Sequence, residues 1–462
     1  MISSRIKSKL DNTIEEVCEK AQIPGMAFLV AQHGEPIYEK YVGYRNKAKE
    51  LPVTKDTIFG LASITKSLVC LAVMQLRDAG KLNVDDNVVS WLPSLKLPNE
   101  NYNNQIQVHH LMSHTSGLPG LPLVHSARLE SIRQDPDGAY LFNKKLPEDT
   151  PVIHNVDDLI REINELDFKL LGPPGTIFNY SNEGYALLQK IIELASGMSF
   201  IDYVEENIFA PLQINDAYFR MEDIPSNAQL TELYAYTEDR QNVFHSPTWW
   251  DVGAIYTNGS LKCSAADLMK YAEVYRMDGT VNGVQIVSKT SIAEMTTPKI
   301  SEPNGGSYGY GIGMDVYQNI AYFGHGGSIK GVSSNFQVIK EQGVTVSVLV
   351  NMADVPVDRI LLHCLMALLD IPEEKQTYEA YPYSVKSLQK FVGSYASLEG
   401  LEATVMLKGE NLVLQKEDKS VIMPISANDF ISKAGVHYHF LMDREEVTGI
   451  CIGKRVLTKV ID

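Results

Sequence analysis

Phe59-Gly60-Leu61-Ala62-Ser63-Ile64-Thr65-Lys66-Ser67-Leu68-Val69-Cys70-Leu71-Ala72-Val73-Met74 is the stretch on which the reading of this chain turns. From Ser63 to about Leu82, apolar residues at Ile64, Leu68, Leu71, Ala72 and Leu76 recur at helical spacing, and Leu68 to Met74 is apolar all round. A helix apolar on every side belongs in the centre of a protein, and Gly80 is a natural stop for it. Ser63 and Lys66, three residues apart at its start, share one helical face, so the amine can reach the hydroxyl. Free backbone N–H groups at the helix start favour an oxyanion beside Ser63. Burial would lower the Lys66 pKa and let the side chain act as a base. The same residues also read as plain structure, with Ser63 a helix N-cap and Lys66 a solvated first-turn lysine.

Two further segments carry chemistry-bearing side chains. Tyr180-Ser181-Asn182 follows the loop Gly172-Pro173-Pro174-Gly175 and precedes a helical pattern, which presents Tyr180 and Asn182 to a cleft. A tyrosine close to a lysine cation has a lowered pKa and can share a serine's proton; the plain alternatives are a half-buried aromatic and a helix cap. His325-Gly326-Gly327-Ser328 lets backbone approach a ligand closely, with the Ser328 N–H as a second oxyanion donor. Its plain alternative is a glycine-rich turn with an incidental histidine.

Composition limits what such a site serves. The 462 residues are 44% hydrophobic and 21% charged, which is globular rather than disordered. With 41 Lys and Arg against 57 Asp and Glu, the net charge is −16, and no Lys/Arg block offsets it. Nucleic acid and anionic membrane surfaces are therefore unfavoured partners. No apolar stretch approaches the roughly 18 residues of a membrane span. Met1 to Lys20 mixes charge with apolar residues as an amphipathic helix does, not as a secretory leader. The five cysteines are scattered and odd in number, which fits buried free thiols in a cytoplasmic, reducing compartment.

Two strands are predicted around the turn His33-Gly34-Glu35-Pro36, helices at about 156–166, 182–197, 264–278 and 359–369, and a hairpin from Phe336–Val338 to Val344–Val350. Residues 120–155, including Pro147-Glu148-Asp149, read as a long irregular lid or insertion. After Asp370 the texture changes. We place a linker at 371–385, and beyond it a small all-β unit at 386–462 built from short alternating runs. Residues 1–370 form the larger unit, with a helical subdomain at roughly 80–255.

Ser-x-x-Lys, Tyr-x-Asn and His-Gly-Gly in this order resemble the serine β-lactamase and penicillin-binding-protein superfamily. The likeness lies nearest its class C-like branch of D-aminopeptidases, esterases and penicillin-binding-like proteins. Phe59-Gly60-Leu61-Ala62, Leu111-Met112-Ser113-His114-Thr115-Ser116-Gly117-Leu118-Pro119, Ser181-Asn182-Glu183-Gly184-Tyr185 and Tyr308-Gly309-Tyr310-Gly311 extend it, over roughly residues 10–370. It implies an α+β fold, an antiparallel sheet flanked by helices plus a helical subdomain, and it likens the C-terminal unit to a small lipocalin-like β domain. It implies Ser63 as the acylated nucleophile, Lys66 as its proton partner and Tyr180 as general base. Asn182 would bind the acyl side of the substrate, and the N–H groups of Ser63 and Ser328 would form the oxyanion hole. His325 and Gly326 stand where β-lactamases of the superfamily carry Lys and Thr, so a fixed positive charge and a hydroxyl for a substrate carboxylate are missing. Weak or absent β-lactamase activity follows, and esters, amides or D-amino-acid peptides become the expected substrates.

His114 reads as a structural histidine rather than as part of a Ser/His pair, since Lys66 and Tyr180 already supply a base. His109-His110 and His437-x-His439 lack carboxylate or thiolate partners at ligand spacing, so neither a metal nor another cofactor is expected. Trp249-Trp250 reads as core or cleft wall. A serine hydrolase acting on a small molecule or peptide leads; an acyltransferase or peptide cyclase using the same acyl-enzyme, and a non-catalytic penicillin-binding-like sensor, are the alternatives.

Overall fold

The computed structural model describes residues 2–142, 150–303, 305–372, 377–416 and 418–460. Its centre is an antiparallel sheet of nine strands, in the spatial order 300–301, 307–308, 313–317, 320–329, 332–339, 344–350, 25–32, 35–46 and 51–52. Gly25–Gln32 lies between Val344–Val350 and Glu35–Asn46. A strand covered on both faces reads as a continuous apolar run, and Met26 to Val30 is such a run. Met26, Phe28 and Val30 pack with Leu10 and Ile14 of helix Ser4–Lys20 and with Ile360, Leu361 and Cys364 of helix Val357–Leu369. Ala27 and Leu29 join the opposite core with Leu68 and Val69 of helix Thr65–Asp78 and Tyr271 and Tyr275 of helix Ala265–Arg276. The expected hairpin is present, with Phe336 opposite Ser347 in its ladder.

The central helix matches its sequence pattern, buried without interruption from Thr65 to Met74. It stops where expected: Gly80 takes a φ of 67°, and the N–H groups of Gly80 and Lys81 bond back to Arg77 and Leu76. Ser63 itself belongs to a preceding 3-10 turn, Ala62–Ile64, rather than to the helix proper.

The reading of 120–155 as irregular is overturned for much of its length. Leu123–Gln134 is a helix and Gly138–Leu141 a further turn of helix; Pro147-Glu148-Asp149 lies outside the described residues. The periodicity was hidden because this helix is covered on several sides. Leu123, Val124, Ala127, Leu129 and Ile132 are buried together with Ser126, so no single apolar stripe stands out.

The C-terminal chain forms a closed barrel of eight strands from Gly393–Ala396 to Arg455–Lys459. Phe391, Phe430 and Phe440 meet inside it at ring separations of 4.7 to 5.0 Å. Side chains fill a barrel of this size; Val405, Leu412, Leu414, Ile422 and Ile450 complete that core. Within the span read as linker, Tyr381 already bonds to the barrel through its N–H to Pro424 O, while 373–376 lie outside the described residues. All five cysteines are free and buried. Among the described residues no helix is long and apolar enough to cross a membrane.

Candidate active site

A cleft of about 800 Å³ opens between the start of the central helix, the strand Ile320–Ile329, the helix Leu123–Gln134 and two barrel loops. It brings together Ser63, Tyr180, Asn182, His325, Gly326, Gly327 and Ser328 on its lining. Lys66 lies directly beneath Ser63, fully buried.

Ser63 stands on a constrained turn. Ala62 before it has a φ of 45°, a left-handed value that costs a non-glycine residue on the order of 1 kcal/mol. Several contacts hold it: Thr65 Oγ1 donates to Ala62 O at 2.7 Å, Leu61 N to Leu261 O at 2.8 Å, and Ser334 Oγ to Leu61 O at 2.8 Å. The strand presses against the same turn. A Cβ at Gly327 would stand 2.2 Å from Leu61 O and 2.9 Å from Ser63 N, so this position requires glycine. Gly326 is under no such compression, its nearest neighbours being 3.3 Å or more from a built Cβ.

Lys66 Nζ lies 3.3 Å from Ser63 Oγ and donates to Asn258 O at 2.7 Å. Its pKa is driven well below the ordinary lysine value, first by burial and then by the charges of Arg455 and Arg128. The amine is therefore poised to be neutral and to accept a proton. Tyr180 departs from expectation: burial pushes its hydroxyl pKa up, and the side chain of Ser63 is the largest opposing influence. Loss of water outweighs both the Ser63 side chain and the charge of Arg455, which act to lower it. Tyr180 Oη finds no partner of good hydrogen-bond geometry among the described residues, nor does Asn258 Oδ1. Both residues line the cleft.

Asn182 is the first residue of helix Asn182–Ser196; the cap is Ser181, whose Oγ accepts from Gly184 N at 3.1 Å. His114 is structural, as the sequence suggested. Its Nδ1 accepts the Ser181 N–H at 3.1 Å, its carbonyl accepts from Asn179 N at 2.9 Å, and its ring lies 4.0 Å from that of Tyr180. It therefore shapes the loop that delivers Tyr180 and Asn182.

His325 is held as a neutral ring, its pKa brought down to about 3 by burial and by the charges of Lys454 and Lys66. Nδ1 sits 2.6 Å from Gly326 O and must carry the proton; Nε2, 2.9 Å from Tyr308 Oη, then accepts from it. Both ring nitrogens are engaged, so His325 lines the cleft without offering a spare polar atom. His437 and His439 go to separate partners, His439 to Asp429 at 2.7 Å and His437 to Tyr378 at 3.1 Å. Among the described residues no group of three His, Cys, Asp or Glu is placed to hold a metal ion.

The sequence reading missed the barrel's part in this cleft. The turn at Gly453, between strands Glu446–Ile452 and Arg455–Lys459, reaches the site. Tyr180 N donates to Lys454 O at 3.0 Å, and Val456 N to Asn179 Oδ1 at 2.8 Å. The Arg455 guanidinium lies over the Tyr180 ring at 4.6 Å. Lys454 pairs with Glu302 and Arg455 with Glu399, each at 2.8 Å. His325 and Gly326 supply no fixed positive charge, but two cations that the sequence reading did not place here enter from the barrel, each matched by its own carboxylate. Nothing in Ile452-Gly453-Lys454-Arg455 sets it apart from a solvated hairpin turn. Arg128, on the cleft lining, was masked by the irregular reading of 120–155, and Glu183, buried against Val124, by an ordinary helical pattern.

Fold and geometry together define the serine β-lactamase and penicillin-binding superfamily, with a C-terminal barrel added. The chain belongs to the Beta-lactamase family, whose model matches residues 10–369. It is 25% identical over 431 residues to penicillin-binding protein 4* of Bacillus subtilis (strain 168), covering 88% of this chain and 87% of that one. The octameric penicillin-binding protein homologue from Pyrococcus abyssi is 27% identical and superposes with a TM-score of 0.71, over 98% of this chain and 99% of the other. A D-amino acid amidase from Ochrobactrum anthropi SV3 shares the fold at a TM-score of 0.63 and 21% identity, over 80% of this chain and 99% of its own.

Proposed function

We propose that the chain is a serine hydrolase that forms an acyl-enzyme at Ser63 and acts on esters or amides, D-amino-acid amides and short peptides included. The observation that carries this reading is a fully buried Lys66, its pKa lowered, 3.3 Å from the Ser63 hydroxyl. Neutral Lys66 takes the Ser63 proton as Oγ attacks the substrate carbonyl carbon, and the N–H groups of Ser63 and Ser328 receive the oxyanion. Collapse breaks the bond to the leaving amine or alkoxide, and Tyr180, neutral because it is buried, hands that group a proton that Lys66 replaces. Water then attacks the acyl carbonyl carbon, giving a proton to the same pair; the bond to Ser63 Oγ breaks, that proton returns to Oγ, and the acid product departs. Tyr180 is thus a proton relay, and the base role that the family resemblance implies for it passes to Lys66. Asn182 binds the acyl side, and His325 with Gly326 and Gly327 forms the strand wall against which the substrate lies.

The substrate class follows from charge. Neutral His325 offers no cation, and Lys454 and Arg455 are each matched by a carboxylate. Substrates without a free carboxylate beside the scissile bond fit best, which favours amides and esters over β-lactams. The amidase from Ochrobactrum anthropi, alike in fold, bears a name of that class. The test is intact mass over time with a p-nitrophenyl ester and a β-lactam in parallel, with Ser63→Ala as control. A Ser63-dependent adduct or product burst with the ester supports the reading. Equal ester turnover by Ser63→Ala overturns it.

A further inference from the structure

Two residues beyond Ser328, strand Ile320–Ile329 turns at Lys330-Gly331 into Val332–Ile339. Lys330 does not line the cleft. Its Nζ donates to Asp135 Oδ2 at 2.5 Å and to Thr248 O at 2.8 Å. The two side chains are almost wholly buried, 3% and 0% exposed. Asp135 Oδ2 also accepts from Trp250 Nε1 at 2.7 Å, and Asp135 Oδ1 from Asp137 N at 3.1 Å. Trp250 therefore belongs to this buried pair. The turn has little freedom besides: Gly331 has a φ of 70° and a Cβ there would stand 2.6 Å from Leu233.

Asp135 caps the C-terminal end of helix Leu123–Gln134. A carboxylate at that end faces the negative pole of the helix dipole, and burial adds a desolvation cost. Lys330 is what makes the arrangement tolerable. The same helix carries Val124, His125 and Arg128 into the cleft, and the strand carries Gly327 and Ser328. One buried pair therefore fastens two cleft walls together, close to the backbone assigned to the oxyanion.

We propose that Lys330 and Asp135 are positioning residues, whose pairing sets the Ser328 backbone against Ser63 and fixes the helical wall opposite. This rests on the acyl-enzyme reading of the site. An apolar pair of similar volume often equals a buried ion pair in stability, so stability and alignment can be separated by experiment.

The experiment compares wild type, Lys330→Met, Asp135→Asn and the double variant Lys330→Met/Asp135→Leu, each checked for an unfolding midpoint above the assay temperature. Each is assayed on an ester and on its thionoester, whose sulfur fits an oxyanion hole poorly. The expected result is a fall in ester kcat of at least about 10-fold, KM changing less, with a smaller fall for the thionoester. The double variant is expected to regain the unfolding midpoint while ester kcat and the ester-to-thionoester ratio stay low. Recovery of both in the double variant, or equal losses on the two substrates, overturns the proposal. A wild-type ester burst that Ser63→Ala abolishes tests the acyl-enzyme reading separately, so the two failures are distinguishable.

Discussion

One side of this cleft gathers buried groups that can exchange a proton, the other carries paired charge. Ser63, the buried Lys66, the raised Tyr180 and the neutral His325 come from the larger unit, and burial dominates the pKa of each of the last three. Lys454, Arg455 and Glu399 come from the barrel and face them as ion-paired groups. The difference teaches where reactivity is set. The first region supplies groups that exchange protons. The second supplies a field that lowers the Lys66 pKa beyond what burial does, with Arg455 the largest charge acting on it.

The strongest way to break this comparison is to remove the proton acceptor. Lys66→Met preserves bulk at a fully buried position and is expected to lower kcat by about 10³-fold or more, within reach of general-base effects. Burst and steady-state rates on a p-nitrophenyl ester measure it. A loss below about 10-fold would move the base elsewhere in the cleft. Tyr180→Phe comes next, with an expected loss of about 10² in turnover. Because Tyr180 is assigned to the leaving group, the loss should be larger for an amide than for an activated ester; equal losses on the two would remove the relay role.

How much of this was legible in the sequence follows the same division. The central strand, the all-apolar helix and its stop at Gly80 could be read because burial on all sides leaves an uninterrupted apolar run. Ser63, Lys66, Tyr180, Asn182 and the His-Gly-Gly segment could be read as candidates because they are short local patterns, and the cleft gathers them. The need for glycine at 327 is a contact with residues more than 260 positions away in the chain, which no local pattern records. Lys454 and Arg455 stayed hidden for a similar reason: a hairpin turn with two cations looks the same whether it meets water or an active site. The helix Leu123–Gln134 was lost because its burial on several sides blurs the 3.6-residue period. Tyr180 was misjudged in sign, since the expectation rested on a charged neighbour and burial acts on both groups.

Glu183 lies where the two regions meet. It is buried beside the cleft, bonded to Val124 N at 3.3 Å, and burial with Glu399 raises its pKa to about 7 against Arg455. A raised carboxyl pKa gives stability that is fully present below the unfolded value near 4.5 and is lost as pH rises toward 7. The span corresponds to at most about 3 kcal/mol. Glu183→Gln is expected to flatten that slope in urea unfolding between pH 4.5 and 7. An unchanged slope would show that another group carries it.

The most delicate alteration tests the barrel's field directly. Arg455→Gln removes the charge that, after burial, does most to lower the Lys66 pKa. The Lys66 pKa then rises, less of the amine is free at a given pH, and the ascending limb of kcat/KM moves to higher pH. A shift of about half to one pH unit is the scale for one charge partly matched by a carboxylate, or roughly 1 kcal/mol. The plateau reached above that limb should stay within a few-fold of wild type, since Arg455 is not asked to move a proton. A fall across the whole pH range with no shift would instead assign Arg455 to substrate contact. A shift to lower pH would reverse the sign of the field and with it the division of labour between the two sides of the cleft.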